Sequence, residues 1–205
     1  MQTKKKNGIQ IDMLHGSMVG KMILFSLPLA LSSILQQLFN SADVAVVGRF
    51  AGSQALAAVG ANVANVGIFV NLLVGCSTGP NVLIANLIGQ KKDDEVSDVV
   101  HTVVAFSVVG GIGLAILGLL LSAPMLILTG TPEDVLDMAL IYLRVYMLGL
   151  PAIMMYNFCS AILRSVGDTK RPLYCMLISG VVNVILNLVF VIVCHLGVLG
   201  VAVST

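Results

Sequence analysis

Residues 22–47 read Met22-Ile-Leu-Phe-Ser-Leu-Pro-Leu-Ala-Leu-Ser-Ser-Ile-Leu-Gln-Gln-Leu-Phe-Asn-Ser-Ala-Asp-Val-Ala-Val-Val47, and this stretch decides the fold. It is long enough to cross a bilayer, which takes about 20 mostly apolar residues. It nevertheless carries one carboxylate, Asp43, with no cation beside it until Arg49. A charge held in a bilayer costs roughly 2.5–3.5 kcal/mol on insertion scales, so such residues face cavities and mark ion pathways. Position alone leaves a second reading open. Asp43 lies four residues from the apparent end of its span, where interfacial water would solvate it. Lys21 followed by Met22–Leu31 also has the outline of a signal peptide. The apolar run continues past the point where cleavage would fall, and more spans follow, so it reads as a first transmembrane helix.

Composition extends that reading to the whole chain. Hydrophobic residues make up 58% of the 205 residues and charged residues 10%, with a mean hydropathy of +1.00. A soluble domain carries about 25% charged residues to wet its surface, so this chain is an integral membrane protein. A net charge of +1, with basic residues scattered along the chain, argues against nucleic acid as a partner. The four cysteines, Cys76, Cys159, Cys175 and Cys194, are far apart among apolar neighbours and form no CxxC or Cys/His metal spacing. They read as buried, free, small apolar residues.

Five segments are expected to span the membrane as helices: 20–48, 54–86, 99–123, 135–159 and 173–195. A sixth begins near Gly197 and has nine residues up to Thr205. The fold class is therefore an all-α polytopic helical bundle. The breaks carry turn residues and charge: Arg49 to Ser53, Gly89 to Glu95, Ala123-Pro124 through Asp134, and Gly167 to Pro172. Pro132 before Glu133 and Asp134 suits a helix start, with acids at the positive dipole end. Lys4, Lys5, Lys6 and Lys21, Lys91 and Lys92, and Arg164, Lys170 and Arg171 all fall on one side of the membrane. By the positive-inside rule that side is cytoplasmic, residues 1–19 forming a cytoplasmic segment of a multi-pass cell-membrane protein. The other basic residues are Arg49 on the opposite side and Arg144 in or near the fourth span. An apolar sixth segment cut short would leave backbone groups unpaired in lipid, so the sequence is expected to be a fragment of a longer protein.

Polar residues fall in stripes. Ser33, Gln36, Asn40 and Asp43 are spaced by three, four and three residues and share one helix face, which must turn toward other helices or a wet cavity. Pro28, fifteen residues before Asp43, removes a backbone hydrogen bond and makes a hinge. In the second span Asn62, Asn65, Asn71, Ser77, Thr78 and Asn81 are interleaved with Gly67, Gly75 and Gly79, and packing between helices is the favoured reading for most of them. Gly110, Gly111, Gly113 and Gly118 read as a packing seam in the third span. Ser179, Asn183 and Asn187 form a second polar stripe in the fifth. Gln36, Asn40, Asn62 and Tyr146 are the candidates for lining a substrate cavity, and Tyr142 and Tyr156 either join it or pack. No GxSxG, HExxH, Walker-type or paired intramembrane carboxylate motif stands beside these stripes, so no enzyme, cofactor or ATP-driven pump is expected. A channel would show charge rings or a filter loop, so ion-coupled transport is favoured.

The run Leu27 to Gly60, with Asp43, Gly48-Arg49 and Leu56-Ala-Ala58, resembles the first signature of the multidrug and toxic compound extrusion (MATE) transporters. Leu163-Arg-Ser-Val-Gly-Asp-Thr-Lys-Arg-Pro172 is similar to the loop between that family's fourth and fifth helices. Asn183 to Asn187, followed by Gly197 to Thr205, is similar to its fifth helix and the start of its sixth. The resemblance implies a twelve-helix protein of two six-helix lobes, with residues 20–205 forming most of the amino-terminal one and needing a carboxy-terminal half to work. It implies efflux of small organic cations or amphipathic compounds in exchange for sodium ions or protons. It also implies that Asp43 is the ion-responsive carboxylate, with Asn183 and Thr205 as neighbouring oxygen ligands of a sodium ion and Asn187 beside them. Family members often have an Asp where this chain has Asn187, and a single carboxylate fits proton coupling better. The alternative is a lipid-linked-precursor flippase of the same broad superfamily, which would hold pyrophosphate with cationic side chains. Only Arg144 lies within a span to play that part.

Overall fold

The computed structural model describes residues 18–205. The amino-terminal Lys4, Lys5 and Lys6, most of segment 1–19 and the side chain of Lys21 lie outside the described residues. A backbone in lipid must satisfy its own hydrogen bonds, and consecutive apolar residues do so as helices. The elements are α1 (Met18–Val46), α2 (Ser53–Gly89), α3 (Asp93–Leu128), α4 (Glu133–Ser165), α5 (Lys170–Leu188) and α6 (Gly197–Ser204). Two π-helical turns, Val47–Ala51 and Val189–Val193, continue α1 and α5. Among the described residues there is no strand, and five helices are long and apolar enough to cross a membrane.

The five spans stand where composition puts them, but their ends differ. The third was expected to stop at Ala123-Pro124, whereas α3 runs through Pro124 to Leu128. Pro28, Pro80 and Pro151 also lie inside helices. A transmembrane helix tolerates proline because neighbouring groups take up the freed carbonyl. At Pro28 the helix likewise continues, and its carbonyl accepts the Ser32 hydroxyl at 2.8 Å. The first connector is far shorter than Arg49 to Ser53. Helical winding carries on through Ala51, and one residue turns the chain, Gly52, at φ +91°, a conformation that favours glycine. α4 begins at Glu133, after Pro132, with Glu133 and Asp134 in its first turn, as the dipole argument requires.

α2, α3 and α4 form the packed heart of the bundle, with Leu73, Leu126, Leu143, Met147 and Phe158 fully or almost fully buried. α6 lies against α4, while α1 packs chiefly on α5. The α3 seam is real but narrower than the four glycines suggest. A Cβ on Gly111 would lie 2.7 Å from Pro151 Cα, and one on Gly110 2.9 Å from Met154 Cε; one on Gly118 would overlap the Met147 side chain more closely still. Gly113 has nothing within 4 Å, and neither do Gly67, Gly75 and Gly79 of α2, so those four do not mediate close helix approach here. The cysteines also depart from expectation. All four are free, but Cys76, Cys175 and Cys194 are exposed on the outer surface of the bundle and Cys159 is partly covered. In an apolar surface a thiol needs no burial to be accommodated.

Candidate functional site

Asp43 is not the solvated interfacial residue. It is only 9% exposed, because α1 does not end near it but winds on through the π turn, bringing Asp43 against α5. There Asn187, fully buried, donates its Nδ2–H to Asp43 Oδ1 at 2.7 Å. The ion pairs among the described residues lie elsewhere, Lys92–Glu95 and Arg171–Asp168, so Asp43 is met by an amide rather than a cation.

One turn earlier on α5, Asn183 donates its Nδ2–H to the Ser204 carbonyl at 2.8 Å, tying α5 to α6. The carboxamide oxygens of Asn183 and Asn187 are both buried and have no hydrogen-bond partner. An orphaned buried acceptor costs on the order of 1–3 kcal/mol, so this cluster is short of donors. Thr205 follows Ser204; its hydroxyl bonds back to the Val201 carbonyl at 2.9 Å. Tyr142 of α4 is buried in the same bundle core. Carboxylate, amide and hydroxyl oxygens are hard donors that suit a proton or a small hard cation. Among the described residues no group of three or more His, Cys, Asp and Glu side chains comes together.

Of the residues singled out from the sequence, the fold therefore unites Asp43 and Asn187 directly, and Asn183 with the start of α6 that carries Thr205. Tyr146 stacks on Tyr142, centroids 6.4 Å apart and planes 21° apart. It lines a cavity of about 410 Å³ between α4 and α6, together with Gly149, Ala152, Ala202 and Thr205. Thr205, next to the Ser204 that Asn183 meets, lines this cavity. Gln36 and Asn40 sit on the exposed face of α1 outside that cavity.

Asn62 is not a cavity residue. It is fully buried, donating to the Ala58 carbonyl at 2.9 Å and across to the Ala139 carbonyl of α4 at 3.0 Å, which makes it a staple between α2 and α4. Asn65, one turn on, reaches Thr129.

Two features escaped the sequence. The π turns follow directly on the stretches that hold Asp43 and Asn187 and pack on each other, each with one buried residue, Val47 and Val191; nothing in their composition marks them. Asp168, 1% exposed, accepts the backbone N–H groups of Lys170 and Arg171 at 3.2 and 3.1 Å and so closes the start of α5. Its Gly167-Asp168 step was legible as a turn, though not as a buried cap.

A family model described as MatE matches residues 28–189. The chain belongs to the MatE family. Among curated relatives, it is 32% identical over 165 residues to the probable multidrug resistance protein YoeA of Bacillus subtilis, covering 80% of this chain and 36% of YoeA. It is 31% identical over 197 residues to the probable multidrug resistance protein YpnP of the same organism, covering 95% of this chain and 44% of YpnP. The crystal structure of a MATE protein in the bent conformation superposes with a TM-score of 0.85 at 27% identity, over 93% of this chain and 42% of that one. The MatE chain thus spans less than half the length of these relatives.

Proposed function

We propose that this MatE chain supplies the amino-terminal lobe of a secondary transporter that exports organic cations or amphipathic compounds from the cell in exchange for an ion, with Asp43 as the coupling group. The observation that carries the reading is the Asp43–Asn187 contact, a buried carboxylate bonded to a neutral amide at the junction of α1 and α5. Both Bacillus subtilis relatives are described as probable multidrug resistance proteins, which supports efflux over other membrane roles. A flippase for anionic lipid precursors would need cationic side chains in the cavity. Arg144 is exposed and is not part of the lining.

The exchanged ion is a proton in this reading. The bond from Asn187 Nδ2–H is the one an ionised Asp43 accepts. On protonation the carboxyl O–H becomes the donor, and Asn187 answers by turning its carbonyl oxygen, now without a partner, toward Asp43. Half a rotation of one amide exchanges the two states without moving either backbone. The ionised state attracts a cationic solute to the adjoining cavity, and the neutral state releases it. Uptake of the proton from outside accompanies export. In the full-length transporter reconstituted into liposomes, Asp43→Asn keeps its helicity but loses efflux of a cationic dye driven by a pH gradient. Undiminished efflux would move the coupling group out of this lobe.

A further inference from the structure

α1 is the least buried long helix of the bundle. Of its described side chains only Asp43 is buried, and none of its most apolar window is covered. α5, its chief partner, buries only Pro172, Gly180 and Asn187. Where the two helices meet, two contacts stand out. One is the Asp43–Asn187 hydrogen bond. Another is apolar: the ring of Phe39 fills the space where a Cβ on Gly180 would stand, so any side chain there would overlap it. Phe39 precedes Asp43 by four residues and Gly180 precedes Asn187 by seven, so each helix carries both of its contacts on one face.

We propose that Phe39 and Gly180 are positioning residues for the coupling pair. The ring seated in the glycine notch sets the register of α1 along α5, which is what brings Asp43 to Asn187. It also remains in place when that hydrogen bond is broken or reversed, so it is the pivot on which α1 turns. Gly180 is required because any Cβ expels the ring, and Phe39 because its volume fills the notch. The pivot rests on the Asp43 reading for its role in transport, though not for its geometry.

The test reads the geometry directly. Dicyclohexylcarbodiimide partitions into the bilayer and modifies buried protonated carboxyls, and mass spectrometry gives the rate at Asp43 alone. In the reconstituted full-length protein, Gly180→Ala and Phe39→Ala are expected to raise that rate about ten- to a hundredfold, as loss of one hydrogen bond to a charged group implies. Phe39→Leu combined with Gly180→Ala, which returns volume from one partner to the other, restores it to within about twofold of the parent. The rate at Asp168, buried in the loop before α5, must stay constant; a rise there reports unfolding, and Phe39→Leu alone, expected to raise the Asp43 rate less than Phe39→Ala, then decides. Parental rates in the single variants, or a double variant as reactive as Gly180→Ala, overturn the proposal. If Asp43→Asn transports normally while the labelling pattern holds, the coupling role falls and the positioning contact stands.

Discussion

Gly111 offers a sharp test of how the bundle is held together. A Cβ at this position would lie 2.7 Å from Pro151 Cα and 3.3 Å from Pro151 Cβ, whereas carbon atoms are in optimal contact at about 3.5–4.0 Å. The obstacle is backbone, so relief requires α3 and α4 to separate locally by about 1 Å. Overpacking of this kind costs about 1–3 kcal/mol. In a membrane it is not offset elsewhere, because helices associate there through close packing rather than expulsion of water. Gly110→Ala meets only the flexible end of Met154, at 2.9 Å from Cε, and falls between the extremes. Gly113→Ala meets nothing within 4 Å and is expected to stabilise α3 by roughly 0.5–1 kcal/mol through lower backbone entropy in the unfolded chain. Reversible unfolding in mixed micelles, followed by circular dichroism of the helices, gives the order Gly113→Ala, parent, Gly110→Ala, Gly111→Ala from most to least stable. A Gly111→Ala protein as stable as Gly113→Ala would refute the close approach of α3 to α4.

Two further outcomes follow from orientation and charge. With the four native cysteines replaced, a cysteine at Ser53 reacts with an impermeant thiol reagent from outside the cell and one at Asp94 does not; reversed labelling overturns the cytoplasmic amino terminus. Asn187→Asp puts a second carboxylate beside Asp43 and is expected to make efflux sensitive to sodium ions, measured as dye efflux with sodium against choline salts; identical rates in both would remove the single-carboxylate argument for proton coupling.

Much of the fold is legible in the sequence because the bilayer imposes one strong rule. Runs of apolar residues interrupted at Gly89 to Glu95 or Gly167 to Pro172 can only be spans and connectors, and α2, α4 and α5 lie where those runs lie. Helix ends were harder to place, since Pro124 looks like a stop and is passed through, and Gly52 alone does the work of a loop. For the candidate site, the four-residue spacing puts Asn183 and Asn187 on one face of α5, and Asp43 stands out on α1, where it turns to α5 while Asn40 stays exposed. That Asp43 and Asn187 meet is a long-range fact no local pattern contains. Asn62 illustrates the limit. Its spacing cannot separate a cavity-facing amide from one that spends both its N–H groups on Ala58 and Ala139. Phe39 and Gly180 read as ordinary apolar residues until the fold puts one inside the space of the other.

The claim at the centre of this account is that Asp43 changes protonation state against Asn187. Infrared difference spectroscopy of the reconstituted full-length protein, recorded on adding a cationic solute, observes both groups at once. The account predicts loss of a protonated-carboxyl band, gain of a carboxylate band and a shift in a side-chain amide carbonyl, all three absent in Asp43→Asn and the amide shift alone absent in Asn187→Ala. A carboxyl signal that persists in Asp43→Asn, or a parent spectrum with no carboxyl change, would contradict it.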